Sequence, residues 1–254
     1  MAESAKGRPL IPFYMVMDVS FSMSNDMADV NEAIDDIGTE VAKSAVISDV
    51  ARFGLIEFAD QAAELIPLMD FEQIDDLPTL VPKGGTNYGN VFKLLKSTIE
   101  RDVRMLLSSG FHVHRPTVFF VTDGEPLDSD WRKAFSDLTT YDKTSKKGFE
   151  YYPQVVPFGL ARRYQGAGDV GISSDTLKAL VHPQGRSRGF MFDMKAGPAF
   201  GQIKEILMGT ILSTGSSEDA DGGTGVNWDA VDMDDVDHTD GTDDDDNNTG
   251  AFLG

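Results

Sequence analysis

Residues 12–22 read Pro-Phe-Tyr-Met-Val-Met-Asp-Val-Ser-Phe-Ser, an apolar run followed by an acidic residue and two alternating hydroxyls. An apolar run bounded by turn signals predicts a strand that is buried on both faces in the middle of a parallel sheet. Asp18 then lies at the carboxyl end of this strand. Because ligands of open α/β sheets bind outside the carboxyl ends of the strands, Asp18 is placed to hold a ligand.

Asp18, Ser20 and Ser22 offer three hard oxygen atoms within five residues. Such oxygens suit Mg²⁺ or Mn²⁺ better than Zn²⁺ or Cu²⁺. The competing interpretation is a helix N-cap, in which Ser22 or Ser24 accepts a backbone N–H before the helix that begins at Met27. The helix dipole then favours the negative charge of Asp18. This segment alone is compatible with both interpretations.

The chain has 254 residues and no cysteine, so disulfides, thiolate nucleophiles and cysteine metal sites are excluded. Its length is enough to bury the core of one large domain or two small ones. Residues 1–8 are polar, and no apolar segment approaches the roughly 18 residues of a membrane span. We therefore expect a cytoplasmic protein without a membrane partner.

The negative charge is concentrated near the C-terminus. Residues 215–254 contain 13 Asp or Glu and no Lys or Arg, which leaves −7 of the total charge of −20 for residues 1–214. No basic patch is visible to neutralise phosphates, so nucleic-acid binding is not expected.

Residues 215–254 are rich in Gly, Ser, Thr, Asn and Asp. Such a segment cannot bury enough apolar area to offset the entropy of the chain, and we predict that it is a disordered acidic tail. Residues 226–231, Val-Asn-Trp-Asp-Ala-Val, are an exception. Trp228 in these acidic surroundings could dock on a partner or on the domain itself, or the segment could simply be solvated.

Strand and helix patterns alternate over residues 9–214, which follow a short extension at residues 1–8. Only Asp60 and Gln61 separate the second and third predicted strands, so these two strands must form an antiparallel hairpin. The alternation predicts a doubly wound, mostly parallel α/β sheet of about six strands with one antiparallel edge strand. The predicted strands are residues 12–18, 52–59, 62–68, 116–122, 151–161 and 189–194, and the predicted helices are 27–50, 91–107, 131–138, 174–181 and 199–213.

Two later loops also contain oxygen side chains next to glycines: Gly84-Gly85-Thr86-Asn87 before a helix, and Thr122-Asp123-Gly124-Glu125-Pro126 after a strand. The glycines permit positive φ angles and a close approach of the backbone to a ligand. A phosphate-binding loop would show the Walker spacing, which is absent. The remaining alternative for the first loop is a glycine turn with Thr86 as the helix N-cap.

Taken together, Asp18-x-Ser20-x-Ser22, Thr86 and Asp123 resemble the metal-ion-dependent adhesion site (MIDAS) of the von Willebrand factor A domain family. The resemblance covers roughly residues 9–213 and implies a Rossmann-like fold with one antiparallel strand. It also implies that the two serine hydroxyls bind Mg²⁺, or Mn²⁺, directly. Thr86 would bind directly or through water, and the two aspartates would often act through water.

The resemblance further implies a function in metal-mediated protein binding, in which a Glu or Asp of a protein partner completes the coordination of the ion. With few direct carboxylate ligands, the ion keeps positive charge that attracts such a residue. No catalysis is expected. The compact size and the lack of cysteine are most similar to bacterial stand-alone A domains, including those associated with tellurium resistance and stress, which implies an intracellular regulatory or assembly role.

Two alternatives use the same residues differently. A magnesium-dependent phosphatase would use Asp18 as nucleophile, but such enzymes typically place a second Asp two residues later, where this chain has Ser20. A regulatory protein could instead place its own acidic tail in the metal site as a tethered pseudo-ligand that competes with outside partners. His112 and His114 lack a third zinc ligand, and the hydrolase spacing Gly-x-Ser-x-Gly is absent.

Overall fold

The computed structural model describes residues 7, 9–43, 49–162, 170–193, 199–216 and 237–240. The described strands are β1 (Pro9–Asp18), β2 (Ala51–Phe58), β3 (Ala62–Met69), β4 (His112–Val113), β5 (Thr117–Thr122), β6 (Tyr141–Asp142), β7 (Lys147–Gly148), β8 (Gln154–Arg162), β9 (Val170–Gly171), β10 (Arg188–Asp193) and β11 (Asp237–Asp240). The described helices are α1 (Met27–Lys43), α2 (Tyr88–Ser108), α3 (Trp131–Thr139), α4 (Ser174–Leu180) and α5 (Ala199–Ser216), with short 3₁₀ turns at Phe21–Asn25 and Phe71–Gln73.

The central sheet has the strand order β11-β10-β8-β5-β1-β2-β3, with β4 paired to β1 and β9 paired to β8. The neighbours of β1 and β8 along this path are all parallel. β2 and β3 form the predicted antiparallel hairpin. The α/β fold class, with a mostly parallel sheet and an antiparallel edge strand β3, is therefore confirmed.

β1 lies inside the sheet between β5 and β2, and every residue after Pro9 in it is buried. Successive side chains of a strand point to opposite faces of the sheet. Phe13 and Met15 accordingly join one core with residues of α1 and α5, whereas Tyr14 and Val16 join a second core with residues of α2 and α3. Burial on both faces explains why this strand reads as a continuous apolar run.

All five helices differ from their predicted bounds, α3 and α4 by one residue and α5, which ends at Ser216, by three. The differences at α1 and α2 have identifiable reasons. The described part of α1 ends at Lys43, and the predicted continuation through residues 44–48 lies outside the described residues. α2 begins three residues earlier than predicted, at Tyr88, because the side chain of Asn87 accepts the N–H of Asn90 as the N-cap. Thr86 is therefore not the cap of this helix.

The structure also describes a strand within the segment for which disorder was predicted. β11 pairs antiparallel with β10, so β10 is not the edge strand that the sequence predicted. Composition did not indicate this strand because an edge strand satisfies backbone hydrogen bonds whatever its side chains are. The rest of the predicted tail beyond Ser216, including Trp228, lies outside the described residues.

Candidate metal centre

The carboxyl ends of β1 and β5 bring the first and third oxygen-bearing loops together. The register pairs Met17 with Val121, so Asp18 and Thr122 end neighbouring strands. The glycine loop is held against the first loop by two backbone hydrogen bonds: Lys83 N–H donates to Val19 O at 2.6 Å, and Phe21 N–H donates to Gly84 O at 3.1 Å. Hence all three loops meet at one edge of the sheet.

Asp18 is fully buried, and both of its carboxylate oxygens accept hydrogen bonds. Oδ1 accepts the Ser20 N–H at 2.8 Å, and Oδ2 accepts the Thr122 hydroxyl at 2.6 Å. Burial raises the pKa of Asp18 from 3.8 to about 6, although the hydrogen bonds from Ser20 and Thr122 oppose this effect. The carboxylate is thus fixed in position and would gain from a nearby cation.

The two serine hydroxyls connect Asp18 to the third loop. Ser20 Oγ lies 2.9 Å from Ser22 Oγ, and the Ser22 hydroxyl donates to Asp123 Oδ1 at 2.6 Å. Together with the Ser20 N–H bond to Asp18, these contacts join residues that are about a hundred positions apart in sequence into one series of oxygen atoms.

Thr86, in the glycine loop, lies close to Ser22 and to the third loop. Only 6% of Thr86 is exposed, and a Cβ atom added to Gly124 would lie 3.2 Å from Thr86 Oγ1 and 3.8 Å from Ser22 Oγ. The hydroxyls of Thr86 and Ser22 therefore both face the position that a side chain at Gly124 would occupy, where it would crowd them. The structure brings all five predicted residues, Asp18, Ser20, Ser22, Thr86 and Asp123, into one cluster, which we call the oxygen cluster.

The oxygen cluster fits a hard divalent cation by its chemistry, since its donors are carboxylates and hydroxyls with no nitrogen or sulfur. Within the described residues, the cluster included, no group of three or more His, Cys, Asp or Glu is arranged to hold a metal ion. Metal binding at the cluster therefore depends on its hydroxyls. The N-cap interpretation named Ser22 or Ser24, but the Ser22 hydroxyl donates to Asp123 Oδ1 and the Ser24 hydroxyl donates to Phe21 O.

Tyr88 contacts the third loop of the cluster through its hydroxyl. This role was not predicted from the sequence. The Tyr88 side chain is fully buried, and its hydroxyl donates to Gly124 O at 2.7 Å and contacts Thr122 Oγ1 at 3.2 Å. Burial raises the pKa of Tyr88 well above its usual value, so the phenol stays protonated as a donor. A tyrosine at the start of an amphipathic helix gives no sequence signal for this role.

Three acidic residues hold the loops in place. Asp60 accepts the Gly85 N–H at 3.0 Å, and Asp128 accepts the N–H groups of the first two residues of α2 at 2.8 and 2.9 Å. Glu125 accepts the Ser173 N–H and the Thr176 hydroxyl, each at 2.6 Å. Burial raises the pKa of Glu125, but these hydrogen bonds outweigh it, and the net pKa is lowered.

His112 and His114 lie away from the oxygen cluster. Their rings are 5.3 Å apart, and β4, which contains His112, pairs with the first residues of β1, at the end of that strand opposite Asp18. Burial lowers the pKa of His114. Within the described residues these two histidines belong to no group that could hold a metal.

The family comparison matches residues 13–125 to the von Willebrand factor type A domain. This range begins within β1 and includes all five residues of the oxygen cluster. No curated protein sequence matches the chain.

Solved structures similar to this fold include proximal thread matrix protein 1 from the mussel byssus, with 15% identity and a TM-score of 0.53 over 80% of this chain and 47% of that chain. A second structure of the mussel protein, with its MIDAS motif occupied by zinc, matches with 14% identity and the same TM-score and coverage. The protein BatB from Bacteroides thetaiotaomicron matches with 16% identity and a TM-score of 0.49, over 77% of this chain and 95% of that chain. The match spans about half of the mussel protein, and identities this low show a shared fold alone.

Proposed function

We propose that this von Willebrand factor type A domain is a metal-dependent protein-binding module. The oxygen cluster would hold Mg²⁺ or Mn²⁺, and a Glu or Asp of a protein partner would complete the coordination of the ion. The observation that supports this most directly is the continuous series of contacts from Asp18 through Ser20 and Ser22 to Asp123, at 2.6 to 2.9 Å.

The chemistry of the cluster favours binding an external carboxylate. Both oxygens of Asp18 are engaged by protein donors, which leaves the hydroxyls of Ser20, Ser22 and Thr86 to contact the ion. Neutral hydroxyl ligands do not cancel the charge of a divalent ion, so the ion attracts an acidic residue from outside.

The same geometry argues against the phosphatase alternative. A nucleophilic carboxylate needs an oxygen that can approach the phosphorus atom, whereas Asp18 is 0% exposed and accepts hydrogen bonds on both oxygens. We therefore propose a binding role without catalysis. A cytoplasmic role in bacterial stress or assembly, of the kind associated with tellurium resistance, is a further proposal that rests on the sequence resemblance.

No helix within the described residues is long and apolar enough to cross a membrane.

Chelator-dependent capture tests the proposed function. Wild-type protein and an Asp123→Ala variant are immobilised, loaded with source-cell lysate in Mg²⁺ and eluted with EDTA, with Asp137→Asn as a matched control in an exposed ion pair of α3. We expect the wild type and Asp137→Asn to release the same protein on chelation and Asp123→Ala to release none. Identical elution from all three would contradict a metal-bridged complex.

A further inference from the structure

Large apolar side chains are exposed around the oxygen cluster. The three most exposed ones among the described residues are Phe21 at 67%, Val81 at 61% and Leu127 at 77%. Phe21 is in the first loop, Val81 is three residues before Gly84, and Leu127 directly follows the third loop. We call these three residues the apolar rim. The other two large apolar side chains exposed in this part of the chain, Met105 and Leu107, lie at the far end of α2. Scattered exposed apolar residues are common, but a group around a binding site indicates an interaction surface.

Contacts fix the rim beside the cluster. Phe21 lies between the two serines, and its N–H donates to Gly84 O. Leu127 covers Gly85, since a Cβ atom at Gly85 would lie 2.8 Å from Leu127 Cδ1, and the Leu127 N–H donates to Thr86 O at 2.9 Å. The rim residues Phe21 and Leu127 therefore both adjoin the glycine loop.

The charged groups near the rim are mostly acidic. Asp60 accepts the Gly85 N–H, Asp128 accepts the Tyr88 N–H, and Glu125 belongs to the third loop itself. The nearby Lys83 is paired with Glu57. A polyacidic segment would be repelled everywhere except at the cation. The surface instead fits one carboxylate next to a large apolar side chain.

The register of the sheet brings the C-terminal segment to this edge. Asp237 pairs with Met191, Met191 with Gly159, and Gly159 with Thr122, whose hydroxyl donates to Asp18. β11 therefore begins in the same row of the sheet in which β1 and β5 end. Because β11 is antiparallel to β10, its first residue, Asp237, lies at the edge of the sheet that contains the oxygen cluster.

The chain is long enough to reach the cluster from there. Three strand spacings separate β11 from β5 in the sheet order, or about 14 Å at about 4.8 Å each. Asp229 precedes Asp237 by eight residues, which can span up to about 27 Å when extended. Asp229 is the single carboxylate of residues 226–231, and it directly follows Trp228.

We propose that the apolar rim and the bound cation form a docking surface for Trp228 and Asp229 of the same chain. Asp229 completes the coordination of the ion, and Trp228 packs against Phe21 and Leu127. The contact requires the cation, because the acidic surroundings repel Asp229 without it. It rests on the proposed function and adds an internal competitor, with the high effective concentration of a tethered ligand, for the same site.

The fluorescence of Trp228 in the full chain tests this proposal. The chain contains two tryptophans, and a Trp131→Phe background keeps an aromatic ring against Tyr88 while leaving Trp228 as the sole tryptophan. Adding Mg²⁺ to EDTA-treated protein should shift the emission to shorter wavelength and reduce quenching by acrylamide. In the same background, Asp229→Asn should abolish this response, and Asp219→Asn, which removes another charge of the tail, should keep it.

Calorimetric titration with Mg²⁺ alone distinguishes failure of the internal-ligand proposal from failure of the proposed metal site. If Mg²⁺ binds but the Trp228 emission does not respond, the internal ligand is excluded and the proposed metal site stands. If no Mg²⁺ binds, the proposed function itself is wrong.

Two further outcomes would overturn the assignment of the occupant. A response that persists in Asp229→Asn shows that another residue occupies the site, and a response that grows with protein concentration shows that a second copy supplies it. A Phe21→Ser, Leu127→Ser double variant should lose the response, and an unchanged response would exclude the apolar rim.

Discussion

Asp18 shows how a binding site can oppose the stability of its own fold. The carboxylate is fully buried, and burial raises its pKa from 3.8 to about 6 although two donors contact it. A protein that keeps such a charge at neutral pH gives up stability unless a cation compensates for it.

The raised pKa of Asp18 predicts how the stability of the metal-free protein depends on pH. A carboxyl group with a raised folded-state pKa stabilises the fold at low pH, and this contribution is lost as the pH rises through about 4 to 6. In EDTA, Asp18 should make the free energy of unfolding about 2 kcal/mol lower at about pH 7 than at about pH 4.5.

Urea unfolding of wild type and Asp18→Asn at both pH values measures this contribution, since the variant lacks the titrating group but shares all the others. Added Mg²⁺ should restore stability to the wild type near neutral pH. If the free energy of unfolding depends on pH equally in the two proteins, the burial of the Asp18 carboxylate does not lower the stability of the fold.

Tyr88 is a second residue whose role can be tested by substitution. It positions the third loop of the oxygen cluster, since its hydroxyl contacts Gly124 and Thr122. We expect Tyr88→Phe to leave the Gly124 carbonyl without this donor, to cost about 1 kcal/mol of stability and to weaken Mg²⁺ binding. Tyr14→Phe is the matched control, because its hydroxyl donates to the buried Asp102 at 2.9 Å.

Calorimetric Mg²⁺ titration and thermal unfolding of both tyrosine variants distinguish the two roles. Tyr14→Phe should lose stability and keep its Mg²⁺ affinity. If Tyr88→Phe also keeps its Mg²⁺ affinity, the Tyr88 hydroxyl contributes to the stability of the core and not to metal binding.

At the scale of elements, the N-terminus of α2 holds Thr86 in place. The helix begins at Tyr88, and two acceptors outside it, Asn87 and Asp128, satisfy N–H groups that have no partner within the helix. Asp128 comes from the loop after β5, so the same contact that caps the helix also joins the second and third loops of the oxygen cluster.

Removing the Asp128 cap should loosen this junction. We expect Asp128→Ala to lower the free energy of unfolding by about 1 to 2 kcal/mol, the usual cost of a lost helix cap. Chemical denaturation measures the effect. Asp130→Ala is the matched control, since that exposed carboxylate lies two residues away and pairs with Lys93 on the surface; a similar loss in both variants would exclude a capping role.

At the scale of the whole molecule, residues 237–240 of the C-terminal region are part of the sheet. β11 pairs with β10 and extends the sheet beyond the strands that the sequence predicted. Among the described residues, β11 therefore anchors the C-terminal segment to the domain. Unpaired strand edges are sites where other chains can add, so β11 also protects β10.

Truncation separates the anchor from the rest of the tail. A chain that ends at Ser216 lacks β11, and its β10 amides should exchange hydrogen faster than those of a control chain that ends at Gly241. Amides of the central strand β5 should be equally protected in both. Hydrogen exchange followed by mass spectrometry gives the comparison, and equal exchange of β10 in both chains would mean that β11 does not pair in solution.

The sequence was sufficient for those features that rest on local patterns. The apolar run of β1 indicated a strand buried on both faces, and the two-residue connection between β2 and β3 required a hairpin. The spacing of Asp18, Ser20 and Ser22, with Thr86 and Asp123 later in the chain, singled out residues that the fold does bring together. Periodicity and connection length act within a few residues, so they can be recognised without coordinates.

Other features depended on contacts between distant segments. Nothing in the local sequence of Tyr88 or Asp128 indicates that one supports the Gly124 carbonyl and the other caps α2, because both roles are set by residues some 36 to 40 positions away. Likewise, composition predicted disorder for residues 237–240, and only the exposed edge of β10 provides their backbone partners. Hydrogen bonds across such separations depend on how the chain folds back on itself, which only the tertiary structure specifies.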